Sequence, residues 1–188
     1  MSSKLVGLMK VRNEQWVLGL SLPAALRCLD EVVIVDHCST DRTPEIIDRV
    51  ASQHPDRVHA LRWSDPAWAE AAIMQALLER GREIGGTHFV ILDADEVISG
   101  NVAKQLEELV APLKPAEGLA LPWLAMWNAI DRYRDDDSEW TDNLMLFAFA
   151  DDERLSFQPA GDGYDIHQRN PARLRGMRKP IRRGSDGG

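Results

Sequence analysis

Three acidic side chains directly follow a short apolar segment near the middle of the chain. Residues 89–92 (FVIL) have the uninterrupted apolar character of a buried parallel strand, and Asp93, Asp95 and Glu96 come next. Burial of carboxylates at this density is unfavourable unless an opposite charge lies nearby. Ligands of open α/β sheets bind at the carboxyl ends of strands. The segment therefore predicts a site for a divalent cation and a phosphate group at the end of a strand.

Polar clusters also follow two earlier apolar segments. Residues 12–14 (RNE) follow a predicted first strand, and residues 36–41 (DHCSTD) follow a predicted second strand. Each cluster alone is common at surfaces and in turns. In a doubly wound sheet, however, such strand ends converge on one crevice. Three polar clusters at βα junctions therefore indicate one shared binding site.

The elements that must position these clusters alternate along the chain. Apolar periodicity and turn residues predict strands at 5–10, 31–35, 57–63 and 89–92 and helices at 14–28, 44–52, 67–84 and 101–110. This order predicts an α/β fold, with a mostly parallel Rossmann-like sheet flanked by helices. Beyond Gly118 the pattern predicts a strand at 119–124 and a small β-hairpin formed by 144–150 and 155–158.

Charge is distributed unevenly along the 188 residues, which carry 22 basic and 30 acidic side chains. Residues 169–188 hold seven of the basic residues and only one acid, Asp186, which leaves a net charge of −14 for residues 1–168. A body this acidic disfavours nucleic acid as a partner. The basic tail is predicted to be flexible, and attraction to an anionic membrane surface is its alternative interpretation.

The remaining composition favours a cytoplasmic protein. No segment approaches the roughly 20 apolar residues of a transmembrane helix, and the first residues have no secretory signal pattern. The two cysteines, Cys28 and Cys38, lack zinc-site spacing and are expected to be reduced thiols.

The three polar elements also carry a family resemblance. VRNE, VIVDHCSTDRT and VILDADEVIS resemble, in order and spacing, the family 2 glycosyltransferases of GT-A fold that contain a DxD motif. The resemblance extends over residues 4–110, is weaker at 119–168 and is absent from 169–188. It implies one GT-A-like domain at 1–168, with a nucleotide-binding half (4–110) and an acceptor half (119–168), followed by the tail.

This resemblance implies a metal-dependent enzyme that moves a sugar, with inversion, from a UDP- or GDP-linked donor to an unidentified glycan, lipid or protein acceptor. Asp95 would coordinate Mg²⁺ or Mn²⁺ together with His167, and Asp93 would face the ribose or a metal-bound water. The implied nucleotide-sugar pocket also contains Val11, Arg12, Glu14, Asp36 and Ala94. Many relatives have a second acid where this chain has His37, so the base is left open.

The acid that deprotonates the acceptor hydroxyl has three candidates, Asp142, Asp162 and Asp165. A catalytic base must reach the acceptor oxygen by a hydrogen bond, and the sequence does not distinguish among the three.

Two other functional hypotheses remain. A haloacid-dehalogenase-type phosphatase also has a D-x-D-x-[TV] motif after an apolar strand, and Asp93 would then be its nucleophile. That hypothesis leaves residues 36–43 unexplained. A non-catalytic nucleotide-sugar-binding module is the second alternative, because the chain is short and its resemblance weakens after residue 119.

Overall fold

The computed structural model describes residues 3–126, 132–134, 144–159 and 169–179. Its strands are β1 (Leu5–Val11), β2 (Glu31–His37), β3 (Val58–Trp63), β4 (His88–Asp93), β5 (Glu117–Pro122), β6 (Leu144–Ala150) and β7 (Gly176–Arg178). Its helices are α1 (Leu18–Ala25), α2 (Thr43–Gln53), α3 (Glu70–Glu83) and α4 (Gly100–Val110). These strands form one sheet in the order β3-β2-β1-β4-β6-β5-β7, so the predicted α/β fold is confirmed.

The half of the sheet formed by β3, β2, β1 and β4 is parallel. In the register of this half, Val11 lies opposite Asp36, and Lys10 lies opposite Asp93. The carboxyl ends of β1, β2 and β4 are therefore level with one another. This alignment brings the three polar clusters to one edge of the sheet.

Two apolar layers cover the faces of the sheet. Met9, Ile34 and Leu92 belong to the layer that includes buried residues of α1, α2 and α4, whereas Val33 and Ile91 belong to the layer that includes α3. Because both faces are covered, the parallel strands are apolar along most of their length. Within the described residues, no helix is long and apolar enough to cross a membrane.

The antiparallel half of the sheet differs from the prediction. β6 pairs with β4 on one side and with β5 on the other, both antiparallel. The predicted hairpin between 144–150 and 155–158 is wrong, because Ser156 instead forms an isolated bridge with Ala172. β6 is apolar throughout (LMLFAFA), and such a strand is accommodated between two neighbours better than in an exposed hairpin.

Residues 169–179 contact the domain, although the sequence predicts a flexible tail from residue 169 onward. β7 extends the sheet by pairing in parallel with β5, and Arg178 forms an ion pair with Glu117 at 2.8 Å. Arg169 is buried. Basic residues beyond position 168 therefore pair with acids of the preceding residues.

Candidate active site

A cleft of about 430 Å³ opens at the carboxyl ends of β1, β2 and β4. It is lined by Lys10, Val11, Arg12, Glu14, His37, Trp68, Ile73, Asp93, Ala94 and Asp95. Six of the predicted site residues are thus brought together: Val11, Arg12, Glu14, Asp93, Ala94 and Asp95. A smaller hollow of about 190 Å³ beside β7 contains none of the predicted residues.

Hydrogen bonds join the turn after β1 to the turn after β2. The backbone N–H groups of Asn13 and Glu14 donate to the hydroxyls of Ser39 (2.9 Å) and Thr43 (2.8 Å), respectively. In return, the Thr40 backbone N–H donates to Asn13 Oδ1 at 2.7 Å. Residues 39–43 therefore hold the turn after β2 against the turn after β1.

Asp41, in the turn after β2, extends the same network. Asp41 Oδ2 accepts from the Gln15 backbone N–H at 3.1 Å, and its Oδ1 accepts from the Thr43 backbone N–H at 2.9 Å. Asn13 and Cys38 adopt left-handed backbone conformations, with φ of 58° and 52°, in these two turns. Hydrogen bonds thus interlock the turns after β1 and β2, and these interlocked turns position Arg12 and Glu14.

Asp93 is paired with a lysine on the neighbouring strand. Lys10 Nζ lies 2.6 Å from Asp93 Oδ1 and 2.9 Å from Glu70 Oε1, whose side chain is fully buried. Burial alone would lower the pKa of Lys10, but Asp93 and Glu70 raise it above its ordinary value. Lys10 therefore stays charged and neutralises part of the acidic strand end.

A second cation reaches the acidic strand end from the C-terminal part of the chain. Arg169 Nη2 donates to Asp93 Oδ2 at 2.5 Å and also to Glu96 Oε1. Glu96 in turn accepts from the Asp93 backbone N–H at 2.9 Å, which closes a compact turn. Burial would raise the pKa of Asp93, yet Lys10 and Arg169 together lower it, so this carboxylate stays ionised. Lys10 and Arg169 thus compensate the charge of Asp93, and Arg169 also pairs with Glu96.

Asp95 and Glu14 also line the cleft, but neither forms an ion pair with Lys10 or Arg169. Asp95 is exposed, whereas Glu14 Oε2 is buried and has no hydrogen-bond partner among the described residues. Burial and the negative charge of Asp95 raise the pKa of Glu14. No group of three or more His, Cys, Asp or Glu residues suited to a metal occurs in the described ranges. Mg²⁺ commonly uses only one or two carboxylates plus phosphate oxygens, so this donor set fits such an ion.

Asp36 lies beside the cleft but does not line it. It is only 5% exposed, its Oδ2 is 3.9 Å from Arg62 Nη1, and its Oδ1 has no hydrogen-bond partner in the described part of the chain. The remaining predicted residues, Asp142, Asp162, Asp165 and His167, lie outside the described residues.

The sequence motifs do not identify four residues of the site: Lys10, Trp68, Glu70 and Arg169. Lys10 could have been found from the sequence, since it is the only charged residue of β1 and nearly adjoins the polar cluster at 12–14. Arg169 could not, because its partners are more than 70 positions away.

The parallel half-sheet and the polar cleft at its strand ends define an α/β protein of the GT-A type. A family model described as "Glycosyl transferase family 2" matches residues 8–125, more than half of the chain. The chain therefore belongs to glycosyl transferase family 2. A search of curated protein sequences finds no match.

Solved structures with the same fold include two of S. aureus TarS and one of a P. calidifontis enzyme. TarS 1–349 is 17% identical, with a TM-score of 0.53, over 67% of this chain and 37% of that one. Its complex with UDP is 18% identical, with a TM-score of 0.51, over 69% and 37%. The mannosyltransferase PcManGT from Pyrobaculum calidifontis, in complex with GDP-Man and Mn²⁺, is 25% identical, with a TM-score of 0.50, over 64% and 35%.

The chain spans little more than a third of the length of these structures. The first two resemblances establish the fold alone.

Proposed function

We propose that this protein is a glycosyltransferase that moves a sugar from a UDP- or GDP-linked donor to an acceptor. One observation carries the proposal: a single cleft joins the polar ends of β1 and β4 in a chain of family 2. Its lining offers both cationic and acidic groups, which a nucleotide diphosphate with a divalent cation requires.

The donor and cofactor proposals draw support from two structural neighbours. TarS has been solved with UDP, and PcManGT with GDP-Man and Mn²⁺. By analogy, Asp95 of the DxD motif is proposed to hold Mg²⁺ or Mn²⁺, with Glu14 close by and His167 as a further ligand. Such an ion neutralises charge on the departing nucleoside diphosphate.

The other cleft residues are assigned to the nucleotide sugar. Val11, Arg12 and Ala94 are proposed to contact the nucleoside, and Asp36 to support this pocket from beneath. Each Asp93 oxygen accepts one N–H group and retains a lone pair, so Asp93 remains able to accept from a ribose hydroxyl or a metal-bound water.

The acceptor side is a proposal from the family resemblance alone. Transfer with inversion requires a base near the acceptor hydroxyl, for which Asp142, Asp162 and Asp165 remain candidates. The domain limits at 1–168, the cytoplasmic location and peripheral membrane contact also stay predictions.

Family membership removes the main reason for the phosphatase hypothesis with Asp93 as nucleophile. In addition, both Asp93 oxygens are engaged by cations, which lowers their nucleophilicity. A non-catalytic binding module would bind the donor but would neither transfer nor hydrolyse it, and this distinguishes it from the enzyme.

Calorimetric titration with UDP, GDP and their sugar conjugates, with Mn²⁺ or with EDTA, tests donor and metal together. We expect at least one nucleotide to bind, and we expect EDTA to lower its affinity. Absence of binding to every nucleotide would refute the proposal. Donor turnover, followed as release of UDP or GDP, separates an enzyme from a binding module.

A further inference from the structure

We propose that Trp68 is the surface on which the donor's nucleobase stacks, and that His37 positions it. This inference rests on the proposed function, because it concerns the nucleotide of the same cleft. Trp68 lies in the segment between β3 and α3, and its side chain is half exposed although it is large and apolar. It lines the cleft together with Arg12 and Asp95.

The exposed indole is backed by a buried ring. The centroids of His37 and Trp68 are 5.1 Å apart, with an angle of 58° between the ring planes. His37 is only 1% exposed, so it supports Trp68 from within the protein. Aromatic rings in this tilted arrangement attract each other. The indole therefore lines the cleft while its inner side packs against the buried His37 ring.

The turn that carries Trp68 is held by hydrogen bonds. His37 Nε2 lies 3.0 Å from the carbonyl oxygen of Asp65 and 3.1 Å from that of Ala67, so this nitrogen must be the donor. Arg12 Nη1 donates to the carbonyl oxygen of Pro66 at 3.3 Å. The turn is thus fastened to β2 and to the end of β1, and the position of Trp68 is set before any ligand binds.

The strand order places Trp68 and Asp95 on opposite sides of β1. Asp95 follows β4, whereas Trp68 follows β3 and contacts the end of β2, on the other side of β1. Parallel neighbours are about 4.8 Å apart, so β4 and β2 are separated by roughly 10 Å. A nucleotide whose diphosphate lies near Asp95 can therefore extend across β1 and place its base against Trp68.

This geometry also gives His37 a role. Many relatives have an acid at this position, and an acid can read the base by hydrogen bonding. The imidazole of His37 instead holds a turn, and base binding relies on an aromatic face. Stacking tolerates different bases, because every base has a π face.

Substitutions of Trp68 test the proposal by comparing nucleotides with pyrophosphate, which has no base. In the presence of Mn²⁺, we expect Trp68→Ala to weaken UDP and GDP binding by about tenfold. Pyrophosphate affinity should stay unchanged, and Trp68→Phe should restore most of the nucleotide affinity. Met177→Ala, an exposed apolar truncation on β7 far from the cleft, is the matched control.

Fluorescence supplies a second readout that does not need pyrophosphate binding. We expect UDP to quench tryptophan emission in the wild type, and we expect Trp68→Phe to lose this quenching while it still binds UDP. Unchanged UDP affinity in Trp68→Ala, or an equal loss for pyrophosphate, would overturn the role of Trp68. If the wild type binds no nucleotide at all, the proposed function itself fails.

His37 is tested by a pair of variants. His37→Ala removes the donor that holds the turn, so UDP affinity should fall several-fold while pyrophosphate affinity stays constant. His37→Gln retains an N–H donor and should recover part of the loss. If both variants bind UDP as the wild type does, His37 has no positioning role.

Discussion

Arg169 and Asp93 form an ion pair between residues 76 positions apart, with a distance of 2.5 Å from Nη2 to Oδ2. Because Arg169 also pairs with Glu96, one guanidinium binds two of the three acids at the carboxyl end of β4. The C-terminal segment is thereby fastened to the candidate active site. The third acid, Asp95, is left exposed in the cleft.

Loss of the Arg169 guanidinium should destabilise the fold. Arg169→Ala leaves Glu96 buried without its cation, and we expect the free energy of unfolding to fall by about 2–4 kcal/mol. Urea denaturation measures this change. Arg178→Ala, which removes a more exposed ion pair with Glu117, should cost much less, because solvent screens a surface pair. Equal effects of the two variants would show that the Arg169 pairs contribute no more than a surface pair.

Asp95 should control metal-dependent donor binding without supporting the fold. Its carboxylate is exposed and lies in the cleft, so Asp95→Ala should abolish the Mn²⁺-dependent part of nucleotide binding while the melting temperature stays within about 2 °C. Calorimetry and thermal unfolding measure the two effects. Asp56→Ala is the matched control, because this exposed acid precedes β3 at the opposite end of the sheet. Donor affinity that is unchanged in Asp95→Ala would reject the metal assignment.

The hydroxyl of Thr43 should matter more than that of Thr40. Thr43 is fully buried and accepts from the Glu14 backbone N–H, so Thr43→Val leaves that donor without its partner. We expect a loss of about 1–2 kcal/mol in stability and a weaker affinity for nucleotide, because Glu14 is misplaced. Thr40 bonds Asn13 mainly through its backbone, so Thr40→Val should change stability by less than about 0.5 kcal/mol. The reverse order would contradict the interlocked turns.

Close packing of α3 on the sheet predicts opposite effects at two helical glycines. A Cβ at Gly81 would lie 2.6 Å from the ring of the buried Phe89, whereas a Cβ at Gly100 meets nothing within 4 Å. Gly81→Ala should therefore destabilise by about 1–3 kcal/mol, and Gly100→Ala should stabilise by up to about 1 kcal/mol. Denaturation midpoints compare them, and a stabilising Gly81→Ala would show that Phe89 can move aside.

Glu31 should make stability depend on pH in the acid range. Burial raises its pKa, but Lys4 and His59, whose Nε2 lies 2.6 Å from Oε2, lower it below the ordinary value of 4.5. A lowered pKa contributes stability that is present above 4.5 and is lost as pH falls through the folded-state value. Glu31→Gln should therefore be less stable than the wild type at pH 6 and converge with it in strong acid. Parallel stability curves over this range would exclude the contribution.

The sequence was sufficient to predict the parallel half of the fold. Strands buried on both faces carry long apolar runs, and their polar ends are local features that can be read without knowing the fold. This is why the sequence predicts that Asp93, Asp95 and the turns after β1 and β2 lie close together, as they do at the cleft. The position of β6 was not predictable in the same way, because an apolar run does not specify which strands will flank it.

By itself, then, the sequence determined the alternating βα pattern, the polar clusters at strand ends and the family resemblance, all of which depend on neighbouring residues. Only the tertiary structure decided that Lys10 and Arg169 neutralise Asp93 and Glu96, and that His37 holds the turn beneath Trp68. These contacts join distant segments, and their partners are selected by packing and by the need to compensate buried charge. Asp93 and Glu96 are thus paired with protein cations, whereas Asp95 is exposed in the cleft.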